Sequence, residues 1–304
     1  MNSQLPQNLP SQTKDYFGNE QNQVKNYEAY RPKYPNEIIS LMKETAESGD
    51  KKAYLDIACG TGQLLFQLQN HFEKSIGTDI SEKQLSVVEE LIKSNNLSNS
   101  VYSIKADCHQ LPNILQEKNL PTKFDLITVG QALHWFDVHP FLKMVGKDLL
   151  KPDGSLIIAS YYFKTYDYNF DNEEMSQRAA SNYLSIFEEK TYPLYQFDCN
   201  ELIQGYPNYR FNEIYKFVKK IEQIQKIPAT VDQFINFIKT FSAYNTYVEL
   251  NSQNEGYLDP AEQLRIQIEK DIEEYLTKNN LQQRPQQPLK IESYFHLRLL
   301  KQFI

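Results

Sequence analysis

The 304-residue sequence predicts an α/β fold, a doubly wound and mostly parallel sheet with helices on both faces and a helical cap lobe. Strand-like and helix-like stretches alternate five times between residues 53 and 163, and the first strand runs through a glycine-bearing turn straight into a helix. A further observation concerns the edge. β-type alternation returns in two late segments that bracket helices, which places them as an antiparallel pair on the rim of the same seven-stranded sheet.

Residues 1–15 are rich in Asn, Gln, Ser and Pro with little to bury, and a mobile tail is expected there. An aromatic segment follows, carrying Tyr16, Phe17, Tyr27, Tyr30, Arg31, Pro32, Tyr34 and Pro35. It reads either as a strap packed on the core or as a lid with Tyr30 or Arg31 reaching a ligand. Asn36–Ala46 is a helix with Asn36 as its N-cap, ended before the Ser48-Gly49-Asp50 turn.

Strands are expected at Ala53–Ala58, Lys74–Asp79, Val101–Ala106, Phe124–Gly130 and Ser155–Phe163. Helices fill the gaps at Leu64–His71, Glu82–Asn95, Gln110–Glu117 and Val138–Leu150, and Lys151-Pro152-Asp153-Gly154 is a turn opening the fifth strand. Beyond Phe163 the alternation stops. Asp171–Lys190, Val231–Tyr247 and Pro260–Lys278 read as helices, and Leu289–Ile304 as a strand. Phe211–Ile227 reads as an extended strand, with helix left open by its apolar spacing. The expected organisation is one domain over 16–304, with a ligand-binding core at 16–163 and cap helices plus the edge strands at 164–304.

A net charge of −7 argues against general binding to nucleic acid phosphates, which needs clustered Lys and Arg. No run of about 18 apolar residues appears, and Met1–Gln12 lacks the apolar core of a signal peptide, so a cytoplasmic protein without a membrane span is expected. Cys59, Cys108 and Cys199 are scattered and odd in number, which suggests neither a disulfide framework nor a metal site.

In doubly wound sheets ligands bind beyond the carboxyl ends of the strands. Those ends here are Asp56–Gly62, Asp79-Ile80, Asp107-Cys108 and Gly130–Trp135. Gly60 and Gly62 let a ligand approach bare main chain, as in dinucleotide sites, yet the third small residue of the dinucleotide fingerprint is replaced by Leu65. Asp56 would repel a pyrophosphate and suit a cationic amino group. Asp79, 19 residues after Gly60, stands where an acid accepts hydrogen bonds from ribose hydroxyls. The turn therefore favours a ribonucleoside carrying a positive charge.

Leu-Asp-Ile-Ala-Cys-Gly-Thr-Gly at 55–62, Gly-Thr-Asp-Ile-Ser at 77–81, Ala-Asp at 106–107 and Phe-Asp-Leu-Ile-Thr-Val-Gly-Gln-Ala-Leu-His-Trp-Phe at 124–136 resemble the ordered motifs of class I S-adenosylmethionine-dependent methyltransferases. The His-Trp-Phe ending and the Tyr-x-x-Tyr-Arg-Pro-x-Tyr-Pro segment at 27–35 resemble the trans-aconitate methyltransferase-like subgroup. The resemblance covers residues 16–163 and implies a Rossmann-like fold with S-adenosyl-L-methionine as cofactor. By position it implies Asp56, Ala58, Gly60 and Gly62 around the methionine part, Asp79 on the ribose, and Ile80, Asp107 and Cys108 about the adenine. Gln131 would lie beside the sulfonium, with Tyr30 and Arg31 contributed by the lid. Ala58 stands where many members have glycine, and Lys239 where Arg is commoner in a cap segment, 239–244.

His134 and Trp135 are the catalytic candidates, His134 as proton acceptor if the acceptor is a hydroxyl or amine. A carboxylic acid needs no base, and for such an acidic small molecule Arg31, Lys164, Arg178, Arg210 and Lys239 are the available cations, in no order. The alternative is a catalytically silent methyltransferase-fold subunit with a structural or regulatory role. Methylation of nucleic acid or protein finds no basic tract in the sequence.

Overall fold

Every residue of β1 (Ala53–Ile57) is buried, the pattern of a central parallel strand covered on both faces. The structure, a computed structural model, describes residues 30–31, 33–46 and 51–304. The expected tail, Tyr16, Phe17, Tyr27, Pro32 and the Ser48–Asp50 turn lie outside the described residues.

Around β1 stand β2 (Lys74–Asp79), β3 (Val101–Lys105), β4 (Phe124–Gly130), β5 (Leu150–Tyr168), β6 (Tyr215–Ala229) and β7 (Leu289–Phe303), in the order β3-β2-β1-β4-β5-β7-β6. The pairs from β3 to β5 are parallel, and β7 runs antiparallel to both β5 and β6. The chain reverses its order about β1, so the switch point and its crevice fall between the ends of β1 and β4.

Side chains alternate across the sheet with period two. Leu55, Ile57, Ile127 and Val129 enter one core with Leu111, Phe141 and Leu142 from the helices at Leu111–Glu117 and Val138–Met144. Tyr54, Leu126 and Ile157 enter the opposite core with Met42, Leu65 and Val88 from the helices at Asn36–Thr45, Gln63–Leu68 and Glu82–Ser94. A third cluster joins Tyr166, Tyr168, Leu289 and Ile291 of the sheet to helices at Glu173–Asn182, Val231–Ile238 and Pro260–Lys278. There Asp271 is buried and accepts hydrogen bonds from Tyr168 Oη (2.8 Å), Asn182 Nδ2 (2.7 Å), Gln267 Nε2 (2.9 Å) and Arg178 (3.2 Å). Four donors let a carboxylate sit in an apolar lobe.

Several boundaries differ from expectation. Asn36 is the first helical residue, not the cap; Pro35 precedes it with extended ψ and no side chain caps the end. β5 begins at Leu150 and runs to Tyr168, and residues 151–154 form an irregularity inside it, between the pairs Phe124↔Leu150 and Leu126↔Ser155, instead of a turn before it. The stretch Val231–Tyr247 is two helices, Val231–Ile238 and Ser242–Asn251. The break follows from Thr240, whose hydroxyl takes the Phe237 carbonyl (2.6 Å), and from Phe241 turning extended. Phe211–Glu213 is a 3₁₀ turn, and the strand starts at Tyr215.

Candidate active site

Three residues of the β1 turn take left-handed backbone: Ala58 (φ 53°), Gly60 (φ 58°) and Gly62 (φ 88°). The first explains why glycine suits position 58. A Cβ on Gly60 would sit 2.7 Å from Gln84 Oε1, and one on Gly62 2.6 Å from the Phe66 ring, so the loop lies flat against the helices behind it. Leu65, too bulky for the dinucleotide fingerprint, is accommodated from the other side. Its Cδ2 lies 2.7 Å from where Gly77 would carry a Cβ, so the helix packs closely because β2 is small there.

Asp56 is 1% exposed. Thr128 donates to its Oδ1 (2.6 Å), from the residue directly paired with it on β4. Burial dominates over that bond and over the Leu65 amide, and with Asp79 nearby the carboxyl is pushed up to about 7. A cation delivered to this point would restore the ionised form. Asp79 receives the Gly60 amide on Oδ2 and the Ser81 amide on Oδ1, both at 2.9 Å, which ties the β2 end to the glycine turn. Asp107 accepts the His109 amide (2.8 Å) at the end of β3, and Cys108 beside it is half-buried with its thiol raised to about 12 by burial and the Asp107 charge. Asp107, Cys108 and His109 bring their ligand atoms within 4.8 Å of one another. Ile80 is 37% exposed at the mouth of the β2 end.

Two cavities meet over the switch point. The first is a cleft lined by Asp56, Ala58, Gly60, Thr61 and Tyr34 together with Gln131 and Tyr161. Thr61 Oγ1 is buried there with no partner among the described residues, so the cleft presents a hydroxyl as well as a carboxyl and bare main chain. These features fit a ligand with an ammonium and further polar groups. The second cavity is aromatic. It shares Gln131 and Tyr161 with the first and is walled by His134, Trp135, Tyr162, Phe163, Phe197 and Phe241 among others. Its charged lining residues are Arg31 and Glu188. Gln131 has left-handed backbone (φ 57°) and is fixed to β5 by its amide on Ala159 O (2.8 Å) and its side chain on Tyr161 O (2.7 Å).

The described part of the aromatic segment is both strap and lining. Tyr34 is buried, its ring edge-on to Tyr161 at 5.9 Å. Arg31 donates to Tyr161 Oη (3.3 Å) and Thr240 O (3.1 Å), with its guanidinium 5.4 Å from the Phe241 ring centre. It belongs to the aromatic cavity, not the cleft. Tyr30 packs against the lobe cluster. Of the other cations, Arg178 pairs with Asp271 and Glu274, Arg210 with Glu213 and Lys239 with Glu262, while Lys164 is exposed.

His134 lies against Phe197 with ring centres 3.9 Å apart and planes tilted by 36°, and Phe197 also meets Trp135 edge-on at 5.1 Å. Burial, with the Arg31 charge second, pushes the His134 imidazole down to about 3, so the ring is neutral. Thr128, Phe197 and Tyr206 were not anticipated, and Thr61 fell inside the Asp56–Gly62 span without being singled out. A polar Thr inside the apolar run of β4 was the available sign for Thr128; nothing marks Phe197 or Tyr206 before the lobe is folded.

A sheet of this order with a glycine turn and acids at its strand ends defines a class I methyltransferase fold. A family profile described as a methyltransferase domain matches residues 48–232, more than half of the chain, and the chain belongs to this family of S-adenosylmethionine-dependent methyltransferases. A Dictyostelium discoideum protein provisionally named a methyltransferase is 26% identical over 255 residues, covering 84% of this chain and 86% of that one. A Saccharomyces cerevisiae protein provisionally named an S-adenosylmethionine-dependent methyltransferase is 24% identical over 253 residues, covering 77% and 83%. A solved structure from Anaeromyxobacter dehalogenans, provisionally named a type II methyltransferase, shares the fold with a TM-score of 0.60, 19% identity, and 90% and 98% coverage. Among the described residues no helix is long and apolar enough to cross a membrane.

Proposed function

We propose that the protein methylates the carboxylate of a small, largely apolar acid, with the cofactor in the Asp56–Gly62 cleft and the acid in the aromatic cavity. The observation that carries this reading is the junction of the two cavities at Gln131 and Tyr161, with Arg31 on the acceptor side of it. When bound, S-adenosylmethionine supplies a methyl group already activated by its sulfonium.

The chain's own tasks are then binding, alignment and exclusion of water. Asp56 holds the ammonium, the Gly60 and Gly62 main chain passes beside the methionine part, and Thr61 Oγ1 gains a partner. Asp79 holds the ribose, with Ile80, Asp107 and Cys108 about the adenine. Gln131, locked to β5 by two hydrogen bonds, separates donor and acceptor. Arg31 fixes the acid by a charge-assisted contact while Trp135, Phe197 and Phe241 cover its apolar body.

The test is calorimetry with S-adenosylmethionine and S-adenosylhomocysteine, followed by a methyl-transfer screen of aromatic and aliphatic acids against matched alcohols and amines. Turnover on acids alone is expected. Binding of the cofactor with no turnover on any class would favour a silent subunit, and turnover on amines or alcohols would overturn the carboxylate assignment.

A further inference from the structure

The Tyr206 hydroxyl lies 3.0 Å from His134 Nδ1, and Tyr206 is 1% exposed. Tyr206 comes from the loop after the short helix at Cys199–Ile203, anchored by its amide on Glu201 O. It takes left-handed backbone at φ 60°, so the chain bends specifically to deliver this ring. Among the described residues no other hydrogen-bond partner reaches it.

This contact leaves one consistent proton arrangement. The buried Tyr206 O–H donates to Nδ1, the acceptor within reach. The reverse arrangement, with Nδ1–H donating, would leave a buried phenol proton unpaired. A neutral imidazole that accepts at Nδ1 carries its proton on Nε2. Nε2 has no partner among the described residues, and His134 lines the aromatic cavity.

The geometry points to Tyr206 as the positioning residue that fixes His134 as an Nε2–H donor facing the acceptor, a recognition group for an acceptor oxygen and not a base. This rests on the proposed acceptor cavity and narrows its substrate class. With Arg31 on the same cavity, two donors face the incoming group, which suits an acid already ionised in solution and disfavours an alcohol or amine that must first lose a proton.

The experiment is a long-range ¹H–¹⁵N correlation on the full chain labelled at histidine, at pH 7, with and without S-adenosylhomocysteine. His134 is assigned by the signals lost in His134→Gln. The expected spectrum has Nε2 protonated and Nδ1 unprotonated with the displacement of a hydrogen-bond acceptor, and Tyr206→Phe loses that displacement. A protonated Nδ1 in the wild-type chain, or an Nδ1 signal unmoved in Tyr206→Phe, overturns the assignment. If Tyr206→Phe does not fold, the wild-type protonation pattern still decides. On any acid found to turn over, His134→Ala is expected to lower kcat/KM about three- to tenfold, as for one lost hydrogen bond, with His134→Gln recovering most of it. A loss of about a hundredfold or more is the signature of a base and would sink the proposal. Because the tautomer is read without an acceptor, failure of the acid screen and failure of this assignment are separate outcomes.

Discussion

The two cavities that meet at Gln131 and Tyr161 are built from different material. The cleft is mostly main chain and short polar side chains, and five of its lining residues fall within Asp56–Thr61. The aromatic cavity gathers Arg31, the β4 end, the β5 end, the 183–203 segment and the break near Phe241, parts separated by up to about two hundred residues. A site written in one turn is specified by backbone conformation, which few sequences satisfy. A site assembled by lobe packing is specified by volume and ring contacts, which many sequences satisfy. On the proposed reading, donor chemistry is accordingly fixed locally, and acceptor choice is distributed.

The largest effect that tests this division concerns Asp56. Its carboxyl rises from 3.8 to about 7 on folding, chiefly through burial. Because the folded value lies above the unfolded one, ionisation works against the fold. The cost is absent below pH 4, grows through the interval, and is complete above pH 8 at about 4 kcal/mol. Asp56→Asn should therefore gain thermal stability relative to wild type as pH rises from 5 to 8, read as the difference in Tm. A difference that stays flat with pH would mean the carboxyl is not held neutral in the empty cleft.

The same substitution should weaken S-adenosylmethionine binding by about ten- to a hundredfold, the worth of a charge-assisted hydrogen bond. Wild-type affinity should fall as pH drops below 7, approaching roughly tenfold per pH unit, because a proton on Asp56 must leave before the ammonium is paired. Asp56→Asn should abolish that slope in calorimetry. Stability gained and ligand lost at one position is the trade expected where a buried charge serves a ligand.

Sequence reading reached the cleft and stopped at the cavity for the reason this comparison gives. Asp56, Ala58, Gly60 and Gln131 line one cleft, and the seven strands and antiparallel rim fall where alternation places them. Gly62 sits one step behind the lining, capping the helix with left-handed backbone. The compensation of Leu65 by Gly77 was out of reach, because it joins a helix to a strand turn through one missing Cβ. Five cations could not be ranked from sequence; ion pairs to Asp271, Glu213 and Glu262 take three of them away from the cavity, and Arg31 alone of the five lines it. Such pairings depend on how helices 260–278 and 173–182 dock, which no local pattern encodes.

Arg31→Lys sharpens the contrast at the next scale down. Lysine keeps the charge but not the fork that spans Tyr161 Oη and Thr240 O. KM for the acid should rise about tenfold at saturating cofactor, from weakened charge-assisted contacts, while S-adenosylmethionine affinity changes less than about twofold, as for a residue outside the cleft. Equal losses for both ligands would place Arg31 on the cofactor instead.

The smallest predicted effect is at Phe197, and it separates the cavities most cleanly. Among the described residues this half-buried ring makes its ring contacts with His134, Trp135 and Tyr195, the last with centres 5.3 Å apart. Phe197→Ala removes aromatic contacts worth about 0.5–1.5 kcal/mol, so KM for a short acid should rise by roughly two- to tenfold. A longer acid that fills the vacated wall should lose less, which reverses the ranking of chain lengths in a competition assay. Cofactor affinity should not move, since Asp56 and Gly60 line the cleft alone, across the shared Gln131 and Tyr161 boundary. A parallel fall in cofactor affinity would show that the aromatic wall supports the cleft, and that donor and acceptor sites are one cooperative unit.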